Sequence, residues 1–283
     1  MHRISFIILI FLSLLTISYC DDDDDQDFVD FDAESPATEE PIYSLEIPDT
    51  VIIERHNATD YIAADNVKHH VMGISDERCD NAHYNLATDF DPENQTEIDI
   101  NTKCFESSTY PVDETIQPLM TMLEIPKRYM PIHRCMKTYI KYIERLPMIG
   151  PHRPLWAKYG EYVYLPPQRW LHNIEHGAIV LLHHPCSDAE QLAKFKKLVK
   201  GCLYRHVITP YTNLTVDRPF ALVGWSSSLE MSHYDEGLSV NFMKYYARSG
   251  PERMFRDGQY KELLIEKAKV VTNVIDSTIC PGF

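Results

Sequence analysis

The sequence predicts an α/β fold of the α+β sandwich kind: one small mixed sheet packed by helices, with an irregular disulfide-linked extension before it. Three observations predict it. AIVLLHH (178–184), LYRHVITPY (203–211) and FALVGWS (220–226) are short runs rich in apolar and β-branched residues, the composition of buried strands. SDAEQLAKFKKLVKG (187–201) opens on an N-cap residue, Ser187 or Asp188, and stops at Gly201. Its Leu192, Phe195, Leu198 and Val199 fall on one helical face. Helices expected around 238–248 and 259–275 close the chain, and the order strand, helix, strand, strand, helix suits elements sharing one sheet.

The elements can be justified from the amino terminus onward. Residues 1–20 (MHRISFIILIFLSLLTISYC) begin basic, continue as a mostly apolar run and end with Ser18 and Cys20, the pattern of a secretory signal peptide cleaved after Cys20. Residues 21–50 hold 13 Asp or Glu and no Lys or Arg, with interspersed Pro, Ser and Thr. Such a tail buries too little apolar surface to offset its ordering entropy and is expected to be disordered. Residues 51–125 have weak periodicity and read as an irregular extension held by Cys79 and Cys104. The α/β domain is expected over 126–283, about 155 residues and enough for a substantial core. Within it, Tyr139 to Ile143 suggests a short helix or strand ended by Pro147, followed by a loop rich in Pro, Gly and aromatics.

Composition bounds the function. The formal charge of −15 belongs mostly to the acidic tail, so the main body lacks the basic patch that nucleic-acid binding needs. No segment after the signal is long enough to cross a bilayer, and the expected location is outside the cell or in the lumen of the secretory pathway. Three sequons, at Asn57, Asn94 and Asn213, suit that route as glycosylation sites. Apart from Cys20 there are six cysteines, enough for three disulfides. Cys186 and Cys202 bracket one helix and are expected to pair; the other pairings stay open. The absence of C-x-x-C argues against thioredoxin-type redox chemistry, and Ser226-Ser227-Ser228 lacks the elbow of a serine hydrolase.

The chemistry concentrates in RWLHNIEHG (169–177), which contains H-x-x-E-H as His172, Glu175 and His176. That spelling is shared with inverted zinc peptidases. Here Gly177 and the strand behind it cut the helix off directly after the motif, and Pro166-Pro167 limit it to about two turns. A short turn feeding the strand would bring these residues towards His152, which sits in the Pro-fixed loop G-P-H-R-P. Imidazoles and a carboxylate so placed could ligate Zn²⁺ or Cu²⁺ through His152, His172, His176 and Glu175. The same residues could instead brace the loop, with Glu175 paired to Arg153 or Arg169, or act as a metal-free acid and base. Met231 and His233 offer a weaker thioether and imidazole pair, and His183-His184 reads as an exposed strand end.

The run GPHRPLWAKYGEYVYLPPQRWLHNIEHGAIVLLHHP (150–185) resembles a largely bacterial, mostly exported domain family of unknown function, marked by G-P-H-x-P and H-N-x-E-H-G. RPFALVGW (218–225) and NFMKYYARSGPE (241–252) are similar to that family's second strand and its closing helix with G-P-E, so the likeness spans about 126–255. Residues 181–231 also resemble tumour protein p53-inducible protein 13, an animal protein described as growth-suppressing. The resemblance implies a fold and a set of marked residues, and no reaction. A metal- or ligand-binding module is therefore expected, with an extracellular interaction protein or a metal-dependent hydrolase as alternatives.

Overall fold

One mixed sheet runs through the computed structural model, built from β1 (Ile52–Asn57), β2 (Leu119–Glu124), β3 (Gly160–Tyr162), β4 (Ile179–His183), β5 (His206–Pro210), β6 (Phe220–Gly224), β7 (Ser227–Met231) and β8 (Leu264–Lys267). The helices are α1 (Gln95–Thr102), α2 (Pro167–Glu175), α3 (Ala189–Cys202) and α4 (Glu236–Tyr246). The structure describes residues 44–58, 72–126 and 129–283; the expected signal peptide and most of the acidic tail lie outside them. The strand order is β1-β2-β7-β6-β4-β5-β3-β8. At its centre β4 pairs parallel with β5 and antiparallel with β6. The fold is α/β, with the mixed sheet and flanking helices that the strand and helix signals imply.

Alternation along β4 divides the core. Val180 and Leu182 pack with Trp170, Leu171 and Ile174 of α2, while Ile179 and Leu181 pack with Phe195, Leu198 and Val199 of α3 and Phe242 and Met243 of α4. The sheet is thus sandwiched, α2 and the long loops on one face and α3 and α4 on the other. Asp188 caps α3 by accepting from Gln191 N–H. The extension also joins the sheet: β1 runs parallel to β2, and β2 antiparallel to β7.

Three expectations are corrected. The pairing of Cys186 with Cys202 does not occur; Cys104 bonds Cys186, Cys202 bonds Cys280, and Cys79 bonds Cys135. The reason is geometric. A helix of 14 residues separates its ends by about 20 Å, whereas a disulfide needs Cα atoms within about 7 Å. The closing helix at 259–275 is instead β8 followed by turns. β8 supplies backbone partners to β3, with Gly160 opposite Lys267, and that pairing overrides a helical pattern of apolar residues. Tyr139 to Ile143 forms no regular element: Ile140 alone of its apolar residues is fully buried, and Ile143 is 84% exposed.

Candidate metal centre

Local sequence explains the turn that carries the motif. Pro167 begins α2, where its missing N–H costs nothing. Gly177 ends it at φ +78°. Its N–H donates to Ile174 O at 2.9 Å and Ala178 N–H to Asn173 O at 3.0 Å, the paired bonds of a Schellman motif. Between these limits the helix is nine residues long, so His172 and Glu175 lie on its last turn and His176 is its C-cap.

Three histidines converge on Glu175. His152 Nε2 lies 2.8 Å from Glu175 Oε2, His133 Nε2 3.5 Å and His172 Nε2 3.9 Å from the same oxygen. His152, His172 and Glu175 are at most 1% exposed and His133 6%. The three rings also pack on one another, His133 on His172 with centroids 4.7 Å apart. The four donor atoms lie within 4.8 Å of one another. A tetrahedral zinc with ligands near 2.05 Å has donor-to-donor edges of about 3.3 Å, and the observed edges of 2.8, 3.5 and 3.9 Å straddle that value.

The outward nitrogens set the tautomers. His152 Nδ1 lies 2.9 Å from Gly150 O, and His172 Nδ1 lies 2.6 Å from Arg153 O. A carbonyl only accepts, so each Nδ1 carries the proton and donates, leaving a lone pair on a neutral ring's Nε2. The Nε2 atoms of His133 and His172 are buried with no hydrogen-bond partner. Lone pairs therefore point at a carboxylate, an arrangement that requires a proton or a cation between them. Burial is the largest influence on His172 and, with neighbouring His152 and His176, holds its pKa well below the usual imidazole range. Burial pushes Glu175 upward, but His152, by its charge and its hydrogen bond, together with the neighbouring His133 and His172, outweighs it and holds the carboxyl well below its usual range. A neutral His172 beside an anionic Glu175 is the pair of protonation states that metal ligation requires of them.

A surrounding shell fixes these positions. Arg153 is bonded in two-pronged fashion to Asp89 and donates to Cys135 O at 2.6 Å and Thr138 O at 2.9 Å, which holds the strand-like segment carrying His133. Arg169 donates to Asp80 at 2.6 and 3.0 Å and to Leu155 O at 2.7 Å. Glu175 thus pairs with neither arginine; both are taken by aspartates from the extension. Asn173 clamps the Pro-rich loop, accepting from Ala157 N–H at 3.1 Å and donating to Ala157 O at 2.7 Å. Cys79–Cys135 ties the extension to the chain two residues after His133.

His176 belongs to a neighbouring group. Its Nε2 lies 3.3 Å from Glu252 Oε2 and its Nδ1 is buried without a partner. Among the described residues, Glu175, His176 and Glu252 form a second set of donors within 4.8 Å of one another. Sequence reasoning missed His133 and Glu252. His133 stands in no motif, and only the parallel bridge that pairs it with His152 places it here. Glu252 could have been found, because it ends the G-P-E that marks the resemblance.

The other expected sites are dispersed. Asn57 and Asn213 are exposed, whereas Asn94 caps α1 by accepting from Thr96 and Glu97 N–H. His233 bonds Ser232, and Met231 is buried in the core beside Ser239. His184 is buried and stacks on Tyr110, contrary to an exposed strand end, and burial lowers the pKa of His183 to about 3. Among the described residues no helix is long and apolar enough to cross a membrane. The three disulfides are consistent with an oxidising, secretory-pathway or extracellular setting.

No curated protein and no solved structure matches the chain. Residues 133–258 match the model of a family described as a protein of unknown function (DUF3105), a span that begins at His133 and contains every donor of both groups.

Proposed function

We propose that this is a metal-binding protein of the secretory pathway or extracellular space, holding one divalent transition ion through His133, His152, His172 and Glu175. The observation that carries the reading is the pair of buried, unpartnered Nε2 atoms of His133 and His172 facing one carboxylate whose third neighbour is His152. Three imidazoles and a carboxylate suit Zn²⁺ first and Cu²⁺ second. Four protein donors complete a tetrahedron, and a closed set of that kind holds an ion as part of the fold. The ion stabilises the last turn of α2 against the Pro-rich loop, as any ligand bound only by the native state does. Carbohydrate at Asn57, Asn94 and Asn213 and removal of residues 1–20 belong to the same reading. The likeness of 181–231 to tumour protein p53-inducible protein 13 adds no chemistry, since all four donors lie before it.

The test is metal analysis of the full chain purified without chelator, beside His133→Ala and a His152→Ala/His172→Ala double variant. At least one ion per chain in the wild type, and fewer in each variant, is expected. Equal, sub-stoichiometric metal in all three would overturn the reading and leave His152 hydrogen-bonded to Glu175, with the cluster a brace.

A further inference from the structure

The second donor group has no role in that centre, although it shares Glu175. We propose that Glu175 bridges two ions, the second divalent cation being held by His176 and Glu252, so that the centre is dinuclear. The inference rests on the first ion's site and extends it.

Two glycines place the second group. A Cβ on Gly250 would stand 2.5 Å from Gly177 N and 2.6 Å from the carbonyl carbon of Glu175, so this chain crossing exists only with hydrogen at that position. A Cβ on Gly177 would likewise meet Arg248 Cα at 2.6 Å. Backbone bonds from Arg248 N–H to Gly177 O, 2.8 Å, and from Glu252 N–H to Glu175 O, 3.3 Å, lock the two segments together. Their effect is to bring the Glu252 carboxylate to His176, one residue beyond the bridging Glu175. The Arg205 guanidinium, itself paired to Asp276, donates to His176 O at 2.8 Å and holds the C-cap from the other side.

The observation pointing to a ligand is His176 itself. It is 1% exposed, its Nδ1 has no partner, and its Nε2 faces a carboxylate. A carboxylate has two oxygens and so can serve two ions, the arrangement of two-metal sites with ions about 3.5–4 Å apart. The two positions differ in chemistry. Three imidazoles and a carboxylate form the first, and one imidazole with two carboxylates forms the second, a harder set that suits Mn²⁺, Fe²⁺ or Zn²⁺. Three protein donors leave the second ion coordinatively open. The Glu252 side chain is 27% exposed, so water reaches the pair from that side.

Equilibrium dialysis of the full-length protein against Mn²⁺ and, separately, Zn²⁺ tests this, with bound metal counted per chain. Two equivalents are expected in the wild type and one in Glu252→Gln, with the electron spin resonance of the Mn²⁺ form changing from a coupled to an isolated signal. One equivalent in the wild type, unchanged in Glu252→Gln, overturns the second ion and leaves the first intact. No metal in either overturns both readings. Two equivalents retained in Glu252→Gln, or none left in it, removes Glu252 from a separate second site and overturns the proposal. Gly237→Ala, which meets only Asp235 Oδ1 at 3.7 Å, serves as the variant that should retain two.

Discussion

Replacing Gly250 by alanine tests the chain crossing that carries the site. The added Cβ would lie 2.5 Å from Gly177 N and 2.6 Å from the Glu175 carbonyl carbon, and it overlaps the Glu175 carbonyl oxygen more closely still. Ordinary separations of such atoms are about 3.5 Å or more, so the two backbones must part by about 1 Å. Neither can do so freely: Gly177 N–H is committed to Ile174 O, Arg248 N–H to Gly177 O and Glu252 N–H to Glu175 O. Overpacking of this kind costs about 1–3 kcal/mol, and weakening two of those backbone bonds adds about 1 kcal/mol each at most. A loss near 3 kcal/mol is expected, which in a domain of this size lowers the melting temperature by about 6–12 °C. The comparison is Gly237→Ala, early in α4, where the Cβ makes only an ordinary contact, 3.7 Å from Asp235 Oδ1, and alanine favours the helix. Differential scanning calorimetry of the two variants decides it. A Gly250→Ala protein melting within a degree of the wild type would refute the close-approach argument, and with it the reason Glu252 faces His176.

Other perturbations have equally definite outcomes. Asp80→Ala leaves the Arg169 guanidinium buried without its carboxylate; a loss of about 3–5 kcal/mol is expected in urea denaturation, and a loss under 1 kcal/mol would mean the arginine finds water. A non-reducing peptide map should recover Cys104–Cys186 and Cys202–Cys280 linked peptides, and a Cys186–Cys202 peptide would contradict an intact α3 between the two residues. Glu161 is pushed upward by burial, but hydrogen bonds from Lys196 and Lys200 outweigh this and lower its pKa. It therefore stabilises the fold above its ordinary range near about 4.3 and loses that contribution as pH falls through the lowered value. Glu161→Gln should flatten the acid limb of melting temperature against pH, and an unchanged limb would show that the lysines do not depend on it.

Part of this arrangement was legible in residue order. Short β-branched runs predicted β4, β5 and β6, and a capped amphipathic pattern predicted α3, because strand and helix periods are local properties of adjacent residues. Pro166-Pro167 before the motif and Gly177 after it bounded α2 correctly, since proline and glycine act on their own φ angles. That bounding was enough to set aside a long peptidase helix. His152, His172, His176 and Glu175 were singled out together, yet their division into two groups was not readable. Imidazoles at i and i+4 share a face, but what each meets there depends on other segments.

Those segments come from far along the chain. His133 reaches the cluster through one backbone bridge, Glu252 through the Gly250 crossing, and both arginines that might have paired Glu175 are taken by Asp80 and Asp89 of the extension. The cysteine pairs behave in the same way, joining residues 56 to 82 apart. By itself the sequence determined which residues could bend, cap, bury or ligate, because those capacities reside in single side chains and their near neighbours. Which of them share a cation was decided only by the tertiary structure, because a ligand set is a matter of angstroms between atoms that the chain order keeps apart.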